Sequence, residues 1–110
     1  MSARWLCRRG DIGDGESKGF SLADDAASQE IFLVRRGEEL YAFANSCPHT
    51  GVELNWQPDQ FLDSERRYIQ CSVHGALFRL EDGLCLRGPC VGQRLRRLRL
   101  RVRGEDVYLL

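Results

Sequence analysis

Two short stretches of the chain carry side chains able to hold a metal: Cys47-Pro48-His49-Thr50-Gly51 and Cys71-Ser72-Val73-His74-Gly75. Each sets one thiol and one imidazole within five residues of chain, and His49 and His74 are the two histidines of the sequence. Thiolate and imidazole are the donors that bind iron or zinc at neutral pH. Cys47, His49, Cys71 and His74 therefore read as one four-ligand metal site.

The segments around these stretches are short and strand-like. Ile31-Phe32-Leu33-Val34 and Leu40-Tyr41-Ala42-Phe43-Ala44 are rich in β-branched and aromatic residues and flank the turn Arg36-Gly37-Glu38-Glu39, which predicts a hairpin whose second strand runs straight into Cys47. Arg67-Tyr68-Ile69-Gln70 leads into Cys71, Leu77-Phe78-Arg79-Leu80 leaves His74, and Glu81-Asp82-Gly83 closes the turn after it. Trp5-Leu6-Cys7 makes an opening strand, the Gly-rich residues 10–19 a loop or turn, and Phe20 and Leu22 the start of another strand. Toward the end, Leu98-Arg99-Leu100-Arg101-Val102-Arg103 alternates with period two, as a half-buried strand with a basic solvated face does. Leu95 is out of phase with it, which predicts a bulge near Arg96 or Arg97. Val107-Tyr108-Leu109-Leu110 is the last strand, and Gly88-Pro89 a rigid bend before the alternating run. The expected fold class is all-β.

With 110 residues, 43% of them hydrophobic, the chain suits one domain with its own core. Sixteen basic residues balance sixteen acidic ones, so no overall field points to nucleic acid or to an anionic membrane. No apolar run is long enough to span a bilayer or to serve as a secretory signal, and the expected location is cytoplasmic. In that reducing setting an odd count of five cysteines argues for metal ligation plus buried thiols rather than a disulfide framework.

The choice of metal follows from the pattern of the two motifs. A structural zinc knuckle usually supplies two cysteines, whereas here both motifs are mixed, C-x-H and C-x-x-H. A two-iron cluster with thiolates on one iron and imidazoles on the other needs such parity. Cys47-Pro48-His49-Thr50-Gly51-Val52-Glu53-Leu54, Cys71-Ser72-Val73-His74-Gly75-Ala76-Leu77-Phe78 and Gly88-Pro89 together resemble the paired motif and the proline loop of the Rieske family, from the Ile31 hairpin onward. The resemblance implies stacked antiparallel sheets, a single domain over residues 1–110 and a small cluster-binding subdomain at about 46–80. It implies one [2Fe-2S] cluster, with Cys47 and Cys71 on the buried iron, His49 and His74 on the outer iron and Pro89 covering it. The stretch from Thr50 to Gln70 is slightly longer than in small Rieske ferredoxins, and the added residues are expected between 57 and 67, away from the ligands.

Departures from the family pattern bear on the redox potential. Val52 and Val73 stand where high-potential members carry a bridging cysteine pair, and Ala76 and Phe78 where they carry Ser and Tyr hydroxyls. A hydrogen bond to a charged group is worth at most roughly 1.5–3 kcal/mol, and about 1.4 kcal/mol is about 59 mV for one electron. Loss of both hydroxyls therefore lowers the potential by up to roughly 130–250 mV. This places the centre nearer about −150 mV than +300 mV in the Rieske range.

A Rieske oxygenase carries a second, mononuclear iron bound by two further histidines and a carboxylate, and this sequence has no third histidine. The resemblance thus implies a one-electron carrier that takes an electron from a flavoprotein reductase and passes it to a terminal oxygenase or other oxidoreductase. Pro48, Thr50, Val73 and Pro89, with Trp56, would rim the docking surface. Two alternatives stand beside it. One is a small Rieske-fold subunit of a larger enzyme such as a nitrite reductase; the other is a zinc-stabilised binding module. The arginines from Arg94 to Arg103 are read as a solvated strand face, Trp56 as a packing residue, and Cys7, Cys85 and Cys90 as thiols, although Cys85 and Cys90 flank the Gly88-Pro89 bend and could pair.

Overall fold

A computed structural model describes residues 3–23, 28–48, 51, 53–55, 57, 59–71 and 75–110. Among the described residues ten strands run in order: β1 (Arg4–Arg8), β2 (Ser17–Ala23), β3 (Ser28–Arg36), β4 (Glu39–Ala44), β5 (Ile69–Gln70), β6 (Leu77–Phe78), β7 (Cys85–Arg87), β8 (Arg97–Leu98), β9 (Leu100–Arg103) and β10 (Asp106–Leu109). One turn of 3₁₀ helix, Arg9–Asp11, follows β1, and no α-helix occurs among the described residues. The strands form three antiparallel sheets, ordered β1-β10-β9, β2-β3-β4-β8 and β5-β6-β7.

The run Ile31-Phe32-Leu33-Val34 shows how the sheets stack. All four side chains are buried, which requires the middle sheet to be covered on both faces. Ile31 and Leu33, with Ala42 of β4, pack against Leu6, Cys7, Ile12 and Val107 on the side of the β1-β10-β9 sheet. Phe32 and Val34, with Tyr41 and Phe43, face the opposite way and pack against Leu54, Phe61, Ile69, Phe78 and Leu80. That second layer also holds Cys47, Cys71, Cys85 and Cys90. The strand alternation thus sorts one continuous apolar run into two cores, and Cys47 and Cys71 of the two Cys/His motifs belong to the second.

The β3–β4 hairpin turns at Gly37 and Glu38, where Gly37 takes φ +61, a value that glycine adopts without steric cost. Its register, Arg36↔Glu39 through Ile31↔Ala44, delivers the chain to Cys47 as the sequence predicts. Strands β1, β2 and β10 also lie where expected, although β2 begins at Ser17, inside the segment read as loop.

Two expectations are corrected. The alternating run 98–103 is not one strand: Arg97–Leu98 pairs with Ala42 and Phe43 of β4, and Leu100–Arg103 pairs with β10. The chain changes sheets between Leu98 and Leu100, so a single period-two pattern serves two ladders; Arg99, Arg101 and Arg103 nevertheless all face solvent. Nor is there a bulge near Arg96. The ladder irregularities among the described residues fall at Trp5/Cys7 and at Leu77/Phe78. Leu95 is buried because its N–H donates to Gly83 O at 3.0 Å, which ties it to the turn after β6 rather than to β8.

The segment 57–67 is likewise more than spare length. Phe61 lies stacked on Phe32, with ring centroids 4.3 Å apart and planes 5° from parallel. Asp59 docks on β2, accepting from Gly19 N–H at 2.7 Å through Oδ1 and from Ser17 Oγ at 2.7 Å through its carbonyl. Gly19 lets the ring approach closely: a Cβ at that position would sit 3.2 Å from Phe61 Cζ, and the ring would have to give by a few tenths of an ångström.

Candidate metal centre

The two motifs fold into the same local device. Gly51 N–H donates to Cys47 O at 2.7 Å, and Gly75 N–H donates to Cys71 O at 2.8 Å, so each loop closes on the residue four positions ahead. The closing residues sit at φ +79 and +68, in the left-handed region that favours glycine. Each five-residue turn thereby presents its cysteine at the inner end, and both Cys47 and Cys71 are buried, at 2% and 0% exposure. His49 and His74, the other two expected ligands, lie outside the described residues, as do Thr50, Val52, Trp56, Pro58 and Val73. Among the described residues no three metal-ligating side chains gather at one point.

The loops are supported differently. The first is pinned by Asn45, a buried polar side chain. Its Oδ1 accepts from Leu54 N–H at 2.8 Å and its Nδ2 donates to Asn55 Oδ1 at 2.9 Å, so one amide closes the loop across its base. The second loop is clamped by backbone: Cys71 N–H donates to Ala76 O at 2.9 Å, directly before and after β5 and β6 bring Gln70 opposite Leu77.

A third segment completes the layer. The bend at Gly88-Pro89 brings Gly88 onto Ala76 so closely that a Cβ on Gly88 would lie 2.8 Å from Ala76 Cα. Gly88 also sits at φ +107, so no other residue fits either the space or the backbone. Leu86, Pro89 and Val91 around this bend are exposed. Sequence reasoning singled out the bend but not β7 beside it, whose three residues carry no alternation to detect, and it missed Asn45. A small polar residue just before Cys47 was the available signal.

All five cysteines are thiols rather than disulfides. Within the layer, Cys90 donates its S–H to Cys85 Sγ at 3.0 Å, and Cys85 donates to Arg87 O at 3.2 Å. Burial, then the adjoining Cys85 sulfur, push the Cys90 thiol up to about 12. Cys7, in the other core, is also raised by burial and by the charge of Asp11.

The donor chemistry fits a [2Fe-2S] group with mixed ligation. Two buried thiols stand at the inner ends of matched turns, each turn also carries an imidazole in its sequence, and an apolar layer surrounds them. A closed tetrahedral zinc knuckle would instead draw its thiols in pairs.

Comparison with known proteins gives the same answer from outside the site. The Rieske [2Fe-2S] domain family matches residues 2–102. No curated protein sequence matches the chain. Among solved structures, the ferredoxin of carbazole 1,9a-dioxygenase from Nocardioides aromaticivorans IC177 superposes with a TM-score of 0.75 at 22% identity, over 99% of this chain and 97% of that one. A structure described as a complex of reduced oxygenase and oxidised ferredoxin in carbazole 1,9a-dioxygenase matches with a TM-score of 0.72 at 23% identity, over 96% and 91% of the two chains. The reduced complex between oxygenase and ferredoxin of that system gives 0.79 at 21% identity, over 97% of this chain but 27% of the matched chain. These likenesses bear on the fold, and each extends over nearly the whole of this chain.

Proposed function

The chain belongs to the Rieske [2Fe-2S] domain family, whose cofactor is one [2Fe-2S] cluster, and from that premise we propose that it is a one-electron carrier between a reductase and a terminal oxygenase. The observation that carries this reading is the matched pair of glycine-closed turns holding Cys47 and Cys71 in one buried layer. We assign Cys47, His49, Cys71 and His74 as the cluster ligands, the cysteines to the inner iron and the histidines to the outer one. When bound, the cluster would supply one-electron redox chemistry. The chain's own contribution is to keep water from Cys47 and Cys71 and to fix both turns.

Ala76 and Phe78, both fully buried, offer no hydroxyl to the cluster sulfurs, which supports a midpoint potential below zero. Exposed Leu86, Pro89 and Val91 form an apolar rim around the third loop and suit transient docking of a redox partner; Pro48 is half-buried at the first loop. The ligand segment at about 46–80 is read as the cluster-binding subdomain, with β7 adding a third strand to its sheet. A flavoprotein is the reductase class that splits a two-electron donor into single electrons for such a carrier. In the structural relatives named above, an oxygenase and a ferredoxin form a complex, and the same class of acceptor is proposed here.

The test is an anaerobic mixing experiment. Chemically reduced protein is mixed with an oxidised Rieske-type terminal oxygenase, and the visible spectra of both are followed. One electron leaving each carrier, within the mixing time of a stopped-flow instrument, is the expected result. A reduced protein that stays reduced against every acceptor of this class contradicts the carrier reading.

A further inference from the structure

The ligand set leaves two thiols of the site layer without a role. Cys85 opens β7 and Cys90 follows the Gly88-Pro89 bend. Backbone hydrogen bonds already fix both positions: Cys85 N–H donates to Gln93 O at 2.8 Å, and Gln93 N–H donates to Cys90 O at 2.8 Å. Their sulfurs lie 3.0 Å apart in a chain of hydrogen bonds from Cys90 to Cys85 to Arg87 O. An S–S bond forms at about 2.05 Å, so the sulfurs need to approach by only about 1 Å, a movement within reach of small side-chain rotations.

We propose that Cys85 and Cys90 are a reversible dithiol–disulfide couple, oxidised by a small hydroperoxide, which closes the Gly88-Pro89 bend covalently across its base. In the step, the two S–H bonds break and one S–S bond forms, releasing two electrons and two protons. The O–O bond of the hydroperoxide breaks and takes both electrons, and the protons leave in one water and one alcohol, or in two waters from hydrogen peroxide. A one-electron centre cannot take both electrons, so the cluster is not the oxidant. Burial of both sulfurs, at 2% and 0% exposure, selects for a small oxidant over a bulky disulfide. Access runs through the bend itself, where Pro89 is exposed and Val91 is 62% exposed.

The consequence is mechanical. Gly88 rests against Ala76, and the bend's own hydrogen bonds, Gly92 N–H to Cys85 O and Gln93 N–H to Cys90 O, hold its shape. Oxidation closes a six-residue ring from Cys85 to Cys90 and narrows the conformations open to the bend that seats on Ala76. A carrier working beside oxygen chemistry would thereby tighten its cover under peroxide stress. The proposal does not rest on the carrier reading, because its readout is a covalent bond.

Trypsin offers a direct test, since Arg87 lies between the two cysteines. Anaerobically purified full-length protein with its cluster is treated with one equivalent of hydrogen peroxide, quenched with a thiol-alkylating agent and digested. The expected result is peptide 80–87 joined to peptide 88–94, two hydrogens lighter than their sum, in most molecules. A dithiol reductant reverses the link, and Cys90→Ser abolishes it. Recovery of Cys85 and Cys90 as separately alkylated peptides overturns the proposal. So does a link from peptide 37–66, which holds Cys47, to 68–79 or to 88–94, because oxidation would then act on the ligand thiols instead.

Discussion

The two cysteine loops share a turn and differ in what holds it. Both close with a hydrogen bond from a left-handed glycine to the cysteine carbonyl. The first hangs from the middle sheet through β4 and is tied across its base by the side chain of Asn45. The second grows out of a two-residue ladder, β5 with β6, and is held down by Gly88 of a third segment. One loop is tied by side chains, the Asn45 amide across its base and the Ser46 hydroxyl to Gly51 O, the other by the fit of one backbone against another. A motif that looks symmetric in sequence therefore has asymmetric weak points.

The largest effect expected is the same on both sides. Cys47→Ala and Cys71→Ala each remove iron and acid-labile sulfide from the purified protein altogether, as read by metal analysis. A variant of either that keeps its full iron content breaks the assignment of the loops as partners.

Asymmetry should appear one step further out. Gly88→Val places a side chain into Ala76 at a backbone angle that disfavours it, and combined overpacking and strain amount to about 2–5 kcal/mol. Loss is expected in thermal stability together with cluster content, since the second loop must move aside. Asn45→Ala leaves Leu54 N–H buried without its acceptor and costs about 1–3 kcal/mol. Here the first loop loosens while β5 and β6 stay protected, which amide hydrogen exchange resolves residue by residue. Equal loosening of both loops in either variant would merge the two supports into one.

The smallest effect concerns the turn after β6. Asp82 accepts from Arg79 Nε at 2.9 Å and from Leu84 N–H at 3.1 Å, and Arg79 holds its carboxyl well below the usual carboxylate range. A carboxyl lowered in the folded state stabilises at pH above its unfolded value of about 3.9, and that contribution fades as pH falls through the folded value. Asp82→Asn should therefore lower stability slightly at neutral pH and flatten the acid limb, with variant and parent converging at low pH, as thermal melts at several pH values would show.

How much of this was legible in the sequence depends on the range of the interaction. The cysteine turns, the β3–β4 hairpin and the Gly88-Pro89 bend are local chemistry, written in Gly, Pro and the positions of the cysteines. The three-sheet stack was visible only indirectly, through Ile31-Phe32-Leu33-Val34, where apolar residues face both ways. Three things were hidden. Phe61 sits in a polar-looking segment, and nothing near it in sequence announces a stack on Phe32. The alternation at 98–103 is indifferent to which sheet it joins, so the crossing at Arg99 left no mark. Asn45 reads as an ordinary turn residue until Leu54 and Asn55 fold back onto it. At the site itself the cysteines were placed by motif, and the structure adds their burial and their supports.

One two-iron cluster is proposed to be bound by Cys47, Cys71, His49 and His74 of this chain. Pulsed electron paramagnetic resonance on the dithionite-reduced, anaerobically purified protein tests it most directly. A paramagnetic cluster with two strongly coupled nitrogens is expected, with one coupling lost in each of His49→Cys and His74→Cys. A colourless, resonance-silent protein containing zinc, or a cluster signal without nitrogen coupling, would contradict it.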